Sequence, residues 1–138
     1  MNFSSFDYES IKRGDKVPRF LFKNLYNQSD SIHYSKGLDY LFFVMSTSCP
    51  HCVNNLNLWN EIYNIESNII KCGLVIDDLN EIKSFLNNYD VKFPLISVTD
   101  SSFINGYKVI GVPMTILVKS HDGYGEVKEL WFGELSDQ

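Results

Sequence analysis

The sequence predicts an α/β fold in which helices flank a mixed central sheet, with a β-hairpin at the N-terminal end. Three observations predict it: apolar segments of strand length, amphipathic segments of helix length between them, and turn-forming residues at the junctions. The composition agrees, because 44% hydrophobic and 14% aromatic residues suffice for a buried core and are too many for a disordered chain. We expect one domain over residues 1–138, with residues 1–15 as an irregular lead-in.

The N-terminal part is predicted to hold the hairpin and one buried strand. Asp15–Pro18 resembles a turn before a strand, and Phe20–Leu25 alternates weakly as a strand does. Asn27–Asp30 has turn residues, so Ser31–Tyr34 is the expected returning arm. Tyr40–Met45 is continuously apolar, aromatic and β-branched, which is typical of a strand buried on both faces.

The rest of the chain alternates between helical and strand patterns. From Pro50 to about Glu66 the pattern is helical, with proline in the first turn, where it is tolerated. A second helix is predicted over Asp77–Tyr89, capped by Asp77 or Asp78. A short helix or turn is expected over Asp100–Lys108. Further strands are expected at Ile69–Ile76, Pro94–Val98, Thr115–Lys119 and Glu126–Phe132, with a Gly-rich turn at His121–Gly125.

Charge and hydropathy exclude several function classes. The net charge is −5, from 12 basic and 17 acidic residues, and no Lys/Arg cluster stands out beyond Lys12–Arg19, so we expect no nucleic-acid partner. The longest apolar run, Tyr40–Met45, is too short to span a membrane. The first residues lack the apolar core of an intact secretory signal, which leaves two interpretations: a cytoplasmic protein, or an exported domain whose leader was removed.

The most informative feature is the pair Cys49-x-x-Cys52 at a strand-to-helix junction. Cys49 is expected at the helix N-terminus, where unpaired backbone N–H groups and the helix dipole stabilise a thiolate. Such cysteines have pKa values of roughly 3.5 to 7.5, against about 8.5 for a free thiol. Cys52, one turn further, is more shielded and can attack a mixed disulfide formed at Cys49. The pattern therefore predicts thiol–disulfide chemistry.

A CxxC pair also occurs in metal and haem sites. A structural zinc takes four ligands, and the remaining candidates, Cys72, His33, His51 and His121, form no second ligand pair. Covalent haem needs CxxCH, and residue 53 is Val. We therefore expect no metal and no cofactor. Two structural thiols remain an alternative, and Cys72, inside an apolar strand, is expected to be a small buried hydrophobe.

These features resemble the thioredoxin superfamily. The resemblance rests on the strand Tyr40–Met45, the tetrapeptide Cys49-Pro50-His51-Cys52 and the segment Gly111-Val112-Pro113-Met114-Thr115 before a strand. The long gap between Cys52 and Pro113 and the lead-in Lys16–Phe20 are similar to the TlpA/ResA-like branch of thiol–disulfide oxidoreductases. The resemblance covers roughly residues 16–133 and implies a thioredoxin-like fold. One departure is Phe43, which occupies the position of the acid that thioredoxins bury beneath the site.

The resemblance also implies roles for individual residues. Cys49 and Cys52 are the expected catalytic pair, and Val112 with a cis-proline at Pro113 is the expected docking point for an extended substrate peptide. The CPHC tetrapeptide is similar to that of the strongly oxidising dithiol oxidase DsbA. An imidazole at His51 can donate to or attract the Cys49 thiolate, and stabilising the thiolate makes the disulfide a better oxidant. Pro50 and His51 are thus expected to set a relatively oxidising potential. The expected partners are cysteine-containing protein substrates and a redox partner protein.

Two alternative functions use the same residues. Soft thiolates suit copper(I), so Cys49 and Cys52 could serve a non-enzymatic carrier, although no Met-rich segment supports it. A peroxiredoxin-like peroxidase shares the fold, but Phe42 stands where that family has proline, and no arginine follows Arg19. The TlpA/ResA-like branch works outside the cytoplasm, so we expect an extracytoplasmic location if a leader was removed and a cytoplasmic one otherwise.

Overall fold

A computed structural model describes residues 11–109 and 111–136 of the chain. Over these ranges the protein forms a mixed sheet with helices on both faces, which confirms the predicted fold class. The strands are β1 Lys16–Val17, β2 Leu21–Lys23, β3 Ser29–Ser31, β4 Tyr40–Met45, β5 Ile70–Val75, β6 Leu95–Ser97, β7 Met114–His121 and β8 Tyr124–Phe132. The helices are α1 Pro50–Tyr63, α2 Leu79–Asn88 and α3 Ser101–Gly106.

The sheet places β4, which leads into the CxxC pair, at its centre. The strand order is β1-β8-β7-β4-β5-β6-β2-β3. β4 runs parallel to β5 and antiparallel to β7, so the strand that follows Val112-Pro113 pairs directly with the strand that precedes Cys49. The register aligns Val44 with Met114 and Phe43 with Thr115. The CxxC segment, which follows β4, and the proline segment, which precedes β7, therefore lie at the same end of two adjacent strands.

Alternation along β4 divides the core between the two faces of the sheet. Phe42 and Val44 face the cluster that includes Phe20 and residues around α3, whereas Phe43 and Met45 face the cluster formed by α1 and α2. Burial follows the prediction for this strand, since five of its six residues are buried and Leu41 is partly so. No helix within the described ranges is long and apolar enough to cross a membrane.

The N-terminal segment differs from the prediction in two places. The turn expected at Asp15–Pro18 contains β1, whose two residues pair with β8. A strand of this length shows no alternation, and its partner lies far away in the chain. The hairpin forms as predicted, but its returning arm is Ser29–Ser31 rather than Ser31–Tyr34, because the turn comes earlier. Asn24 Oδ1 accepts the amides of Tyr26 and Gln28 and closes that turn.

The C-terminal hairpin is tighter than the Gly-rich turn predicted at His121–Gly125. β7 continues to His121 and β8 begins at Tyr124, which leaves a two-residue turn. Gly123 adopts φ +89°, a conformation open to glycine at no steric cost. The expected irregular lead-in is described only from Ile11, which is buried in the core, while residues 1–10 lie outside the described part.

Candidate active site

Cys49 is the N-cap residue of α1, directly after the loop that leaves β4. Its Sγ accepts a hydrogen bond from the backbone N–H of Cys52 at 3.2 Å, and Pro50 occupies the first helical turn. The two-residue spacing explains this contact, because a cap side chain reaches the amide three positions ahead. In a CxxC pair that amide belongs to the second cysteine. The motif therefore places the first sulfur at an N–H of the first helical turn, which also donates to the Cys49 carbonyl at 3.1 Å.

Asp77 fixes the loop between β4 and Cys49. Its Oδ2 accepts the Thr47 amide at 2.7 Å, the Thr47 hydroxyl at 3.1 Å and the Ser46 hydroxyl at 3.1 Å. Either Asp77 or Asp78 was a candidate cap for the second helix, and the structure assigns the cap to Asp78, which accepts from the Glu81 amide. Asp77, which follows β5, instead directs its side chain to the loop after the neighbouring parallel strand β4. The loop that presents Cys49 is thus held by hydrogen bonds to a carboxylate.

The two sulfurs differ in exposure. Cys49 is half-buried, whereas Cys52 is fully buried on the inner face of α1. Burial raises the pKa of the Cys52 thiol above its ordinary value, and its hydrogen bond with Cys49 acts in the same direction. Phe43 lies beneath the helix, buried and stacked on Trp59 with ring centroids 5.2 Å apart. The pair therefore combines one accessible sulfur with one that is shielded and held as a thiol.

The Val112-Pro113 segment lies against the accessible sulfur. The Cys49 thiol donates to the Val112 carbonyl oxygen with 3.8 Å between Sγ and O, and the Val112–Pro113 peptide bond is cis. Pro113 is buried, and its carbonyl accepts the Gly133 amide at 2.9 Å. Residues far apart in the chain, Cys49 and Val112, are thus in contact, as the register of β4 and β7 dictates.

His51 lies on the outer side of the first turn of α1, with 69% of its side chain exposed. The CPHC tetrapeptide predicts that its imidazole acts on the Cys49 sulfur. In the structure its Nδ1 is bonded to the carboxylate of Glu134, which also accepts from the Asn54 amide at 3.3 Å. This bond holds the pKa of Glu134 below its usual range. The sequence offers no signal for Glu134, because it lies 83 residues from His51.

Asn55 is a second residue that sequence analysis missed. It is fully buried, and both groups of its side-chain amide are bonded to the segment after β8. Its Nδ2 donates to the Gly133 carbonyl at 3.3 Å, and its Oδ1 accepts the Leu135 amide at 2.8 Å. A weak signal was available, since Asn55 falls at helical spacing between Cys52 and Trp59 on the buried stripe. A polar residue at such a position needs a partner.

Cys72 lies apart from the pair. It is buried on β5 in the cluster on the opposite face of the sheet, and burial raises its pKa to about 12. His33 is exposed near the hairpin, and His121 bonds to Glu126 at 2.8 Å. Among the side chains of residues 11–109 and 111–136, no group of three or more His, Cys, Asp or Glu is arranged to hold a metal ion. The third thiol thus has the surroundings of a packed hydrophobe.

The curated relatives of the chain are thiol–disulfide oxidoreductases named ResA, and the solved structures of similar fold also include a peroxiredoxin-like protein from Aquifex aeolicus, with a TM-score of 0.71 and 16% identity, covering 89% of this chain and 77% of that one. No protein-family model matches the chain. The chain is 27% identical over 135 residues to the thiol–disulfide oxidoreductase ResA of a Bacillus cereus strain, covering 96% of this chain and 76% of that protein. The crystal structure of StoA from Bacillus subtilis is similar with a TM-score of 0.70 and 17% identity, covering 87% of this chain and 91% of that one. A putative thiol:disulfide interchange protein DsbE from Chlorobium tepidum has a TM-score of 0.72 and 18% identity, covering 91% and 89%.

Proposed function

We infer that this chain, a TlpA/ResA-like member of the thioredoxin superfamily, is a thiol–disulfide oxidoreductase that exchanges a Cys49–Cys52 dithiol or disulfide with protein thiols. The observation that carries the proposal is the difference between the two sulfurs. Cys49 is accessible at the N-terminus of α1, and Cys52 is buried one turn behind it. In this arrangement Cys49 can react with a substrate sulfur, while shielded Cys52 reacts only with Cys49 in the intramolecular step.

In the oxidising direction a substrate thiolate attacks Sγ of Cys49 in the disulfide form. The Cys49–Cys52 bond breaks, a Cys49–substrate mixed disulfide forms, and Cys52 leaves as a thiolate that takes up a proton. A second substrate thiolate then attacks the substrate sulfur and expels Cys49. The substrate loses two electrons to the pair and gains its disulfide. The raised pKa of buried Cys52 favours protonation of the leaving sulfur.

In the reducing direction the same steps run backwards. The Cys49 thiolate attacks a substrate disulfide, one substrate sulfur leaves, and deprotonated Cys52 attacks Cys49 Sγ to release the second. Because the pKa of Cys52 is raised, losing this proton is the costly event of the reducing cycle. Phe43 occupies the place where an acid would accept it, and it is buried among aromatic rings. The same raised pKa makes Cys52 a poorer leaving group in the oxidising step, so the redox partner sets the direction of electron flow.

The substrate is proposed to dock along Val112-Pro113. The Val112 carbonyl already lies at the Cys49 sulfur, so a peptide that pairs with this segment in an extended conformation brings its cysteine to Cys49. We expect Pro50 and His51 to set a potential more oxidising than that of a CGPC thioredoxin, roughly −270 mV, with the contribution of His51 reduced by its bond to Glu134. The working partners are cysteine-containing proteins and a redox protein that recharges the pair. An extracytoplasmic compartment, where disulfides persist, suits such a potential.

The test is catalysis of disulfide exchange by the purified chain and two variants. The parent protein is expected to accelerate oxidation of reduced ribonuclease or reduction of insulin by dithiothreitol. Cys49→Ser is expected to abolish both activities. Cys52→Ser is expected to retain the first attack and accumulate a mixed disulfide at Cys49, detected by mass spectrometry.

The outcomes separate this function from the alternatives. Cys72→Ser serves as the matched control, because it replaces a thiol remote from the pair and is expected to leave exchange intact. Tight copper(I) binding with no exchange activity would favour a carrier, and a fast reaction of Cys49 with peroxide would favour a peroxidase. Equal activity of the parent and Cys49→Ser would contradict the proposal.

A further inference from the structure

The segment that follows β8 reaches back to the CxxC helix and brings a carboxylate to the tetrapeptide. Gly133 donates its amide to the Pro113 carbonyl, and buried Asn55 bonds to backbone groups on both sides of residue 134. Of these three hydrogen bonds, two join residues 133–135 to α1 and one joins them to the proline segment. Glu134 is therefore held in place by its neighbours' backbone, independently of its own side chain.

The Glu134 side chain lies over the first turns of α1. Its carboxylate bonds to Nδ1 of His51 and to the side-chain amide of Asn54. The pKa of Glu134 is lowered by the His51 hydrogen bond, so the carboxylate is charged at neutral pH. Asp77, whose charge also acts on the Cys52 thiol, has its carboxylate engaged by Ser46 and Thr47.

We propose that Glu134 is a positioning residue for the redox pair, which holds the His51 ring away from Cys49. This inference rests on the proposed exchange activity and assigns to Glu134 an effect on the redox potential of the pair. When Cys49 is a thiolate, an imidazolium without an anionic partner is attracted to it at the N-terminus of α1. The carboxylate of Glu134 competes for that ring. Glu134, which lies 83 residues after His51, thereby makes the potential of the pair less oxidising than the tetrapeptide alone would make it.

The sign follows from the charges. Removing the negative charge of Glu134 weakens its bond to the His51 ring, and a ring that is free to donate to the Cys49 sulfur favours the thiolate. A better stabilised thiolate stabilises the reduced protein, which makes the disulfide more oxidising. The contacts are largely solvent-exposed, so screening keeps the effect modest, at about threefold to fivefold in an equilibrium constant.

The test compares potentials of the full chain by equilibration with reduced and oxidised glutathione at pH 7. Glu134→Gln keeps the shape while removing the charge, so its bond to His51 becomes a neutral one, about half as strong as the charge-assisted bond. Its equilibrium constant for oxidation by glutathione disulfide is expected to fall about threefold to fivefold relative to the parent. Glu129→Gln is the matched control. It makes the same change on β8, where the carboxylate pairs with exposed Arg13, and is expected to leave the constant unchanged.

A second arm asks whether Glu134 acts through His51. In a His51→Ala background, the Glu134→Gln substitution is expected to lose most of its effect, since there is no ring to release. An unchanged or raised equilibrium constant in the single variant would overturn the proposal. The same shift with and without His51 would also overturn it, because the carboxylate would then act on Cys49 directly. Failure of the exchange activity is a distinct result, since no Cys49–Cys52 disulfide would then form in any variant.

Discussion

Replacing Asn55 by leucine tests how the C-terminal segment is tied to the active-site helix. Asn55 is fully buried and makes two hydrogen bonds, one at 2.8 Å from the Leu135 amide and one at 3.3 Å to the Gly133 carbonyl. Leucine has a similar size, so it keeps the packing while leaving both backbone groups without their partner. Hydrogen bonds of this kind contribute about 0.5–1.5 kcal/mol each, and stranding a partner costs up to about 3 kcal/mol. We expect the free energy of unfolding to fall by about 1–3 kcal/mol.

The matched control is Asn57→Leu on the same helix. Asn57 is exposed, so its replacement is expected to change stability by less than about 0.5 kcal/mol. Both substitutions gain the same helix propensity, which cancels in the comparison. Urea unfolding followed by tryptophan fluorescence measures both. The loss at Asn55 corresponds to roughly 3–5 °C in Tm per kcal/mol for a domain of this size. Equal stabilities of the two variants would refute the argument that Asn55 clamps this segment.

Three further predictions follow from buried and capping groups. Thr115→Val removes the acceptor of the Trp59 indole N–H, a buried bond of 3.0 Å, and is expected to cost about 1–3 kcal/mol in urea unfolding. In the native reduced protein, iodoacetamide at pH 7 is expected to label Cys49 and to reach Cys72 only on unfolding, because Cys72 is buried with a raised pKa. The Leu21 backbone amide, at the start of β2, donates to the Asp100 carboxylate and lowers its pKa. The ionised carboxylate therefore stabilises the folded protein above about pH 4, and this stabilisation is lost as pH falls further. Asp100→Asn should therefore lower the urea midpoint at pH 6 more than at pH 3.

Each of these predictions has a control and a contradicting result. Thr99→Val removes an exposed hydroxyl and is expected to be nearly neutral, so a similar loss there would remove the argument for the Trp59 bond. Rapid labelling of Cys72 in the folded protein would contradict its burial. The same difference between Asp100→Asn and the parent at both pH values would show that the carboxylate charge does not act through its hydrogen bonds.

The parts of the fold that the sequence predicted are those fixed by local pattern. Tyr40–Met45 was predicted to its ends, because a continuous apolar run between turns has few other solutions. The junction at Cys49 followed from the change of period from strand to helix. β1 escaped prediction because a two-residue strand carries no alternation and depends on a distant partner.

In the site, too, contacts between neighbouring residues were predictable and contacts between distant residues were not. The position of Cys49 at the helix cap was predictable, because neighbouring residues create it. The contact of His51 with Glu134 was not, because it depends on where the chain returns after β8. The buried amide of Asn55 lies between these cases. Its helical spacing indicated burial, but its partners are set by tertiary structure.

The most direct test of the account is the redox equilibrium of the Cys49–Cys52 pair. The purified chain is equilibrated with graded glutathione mixtures, and mass spectrometry of alkylated peptides locates the disulfide. We predict one two-electron transition between the dithiol and a Cys49–Cys52 disulfide, with a midpoint more positive than about −270 mV. A midpoint at or below that value would contradict the proposed tuning by Pro50 and His51. The absence of a Cys49–Cys52 disulfide at every glutathione ratio would contradict thiol–disulfide exchange itself.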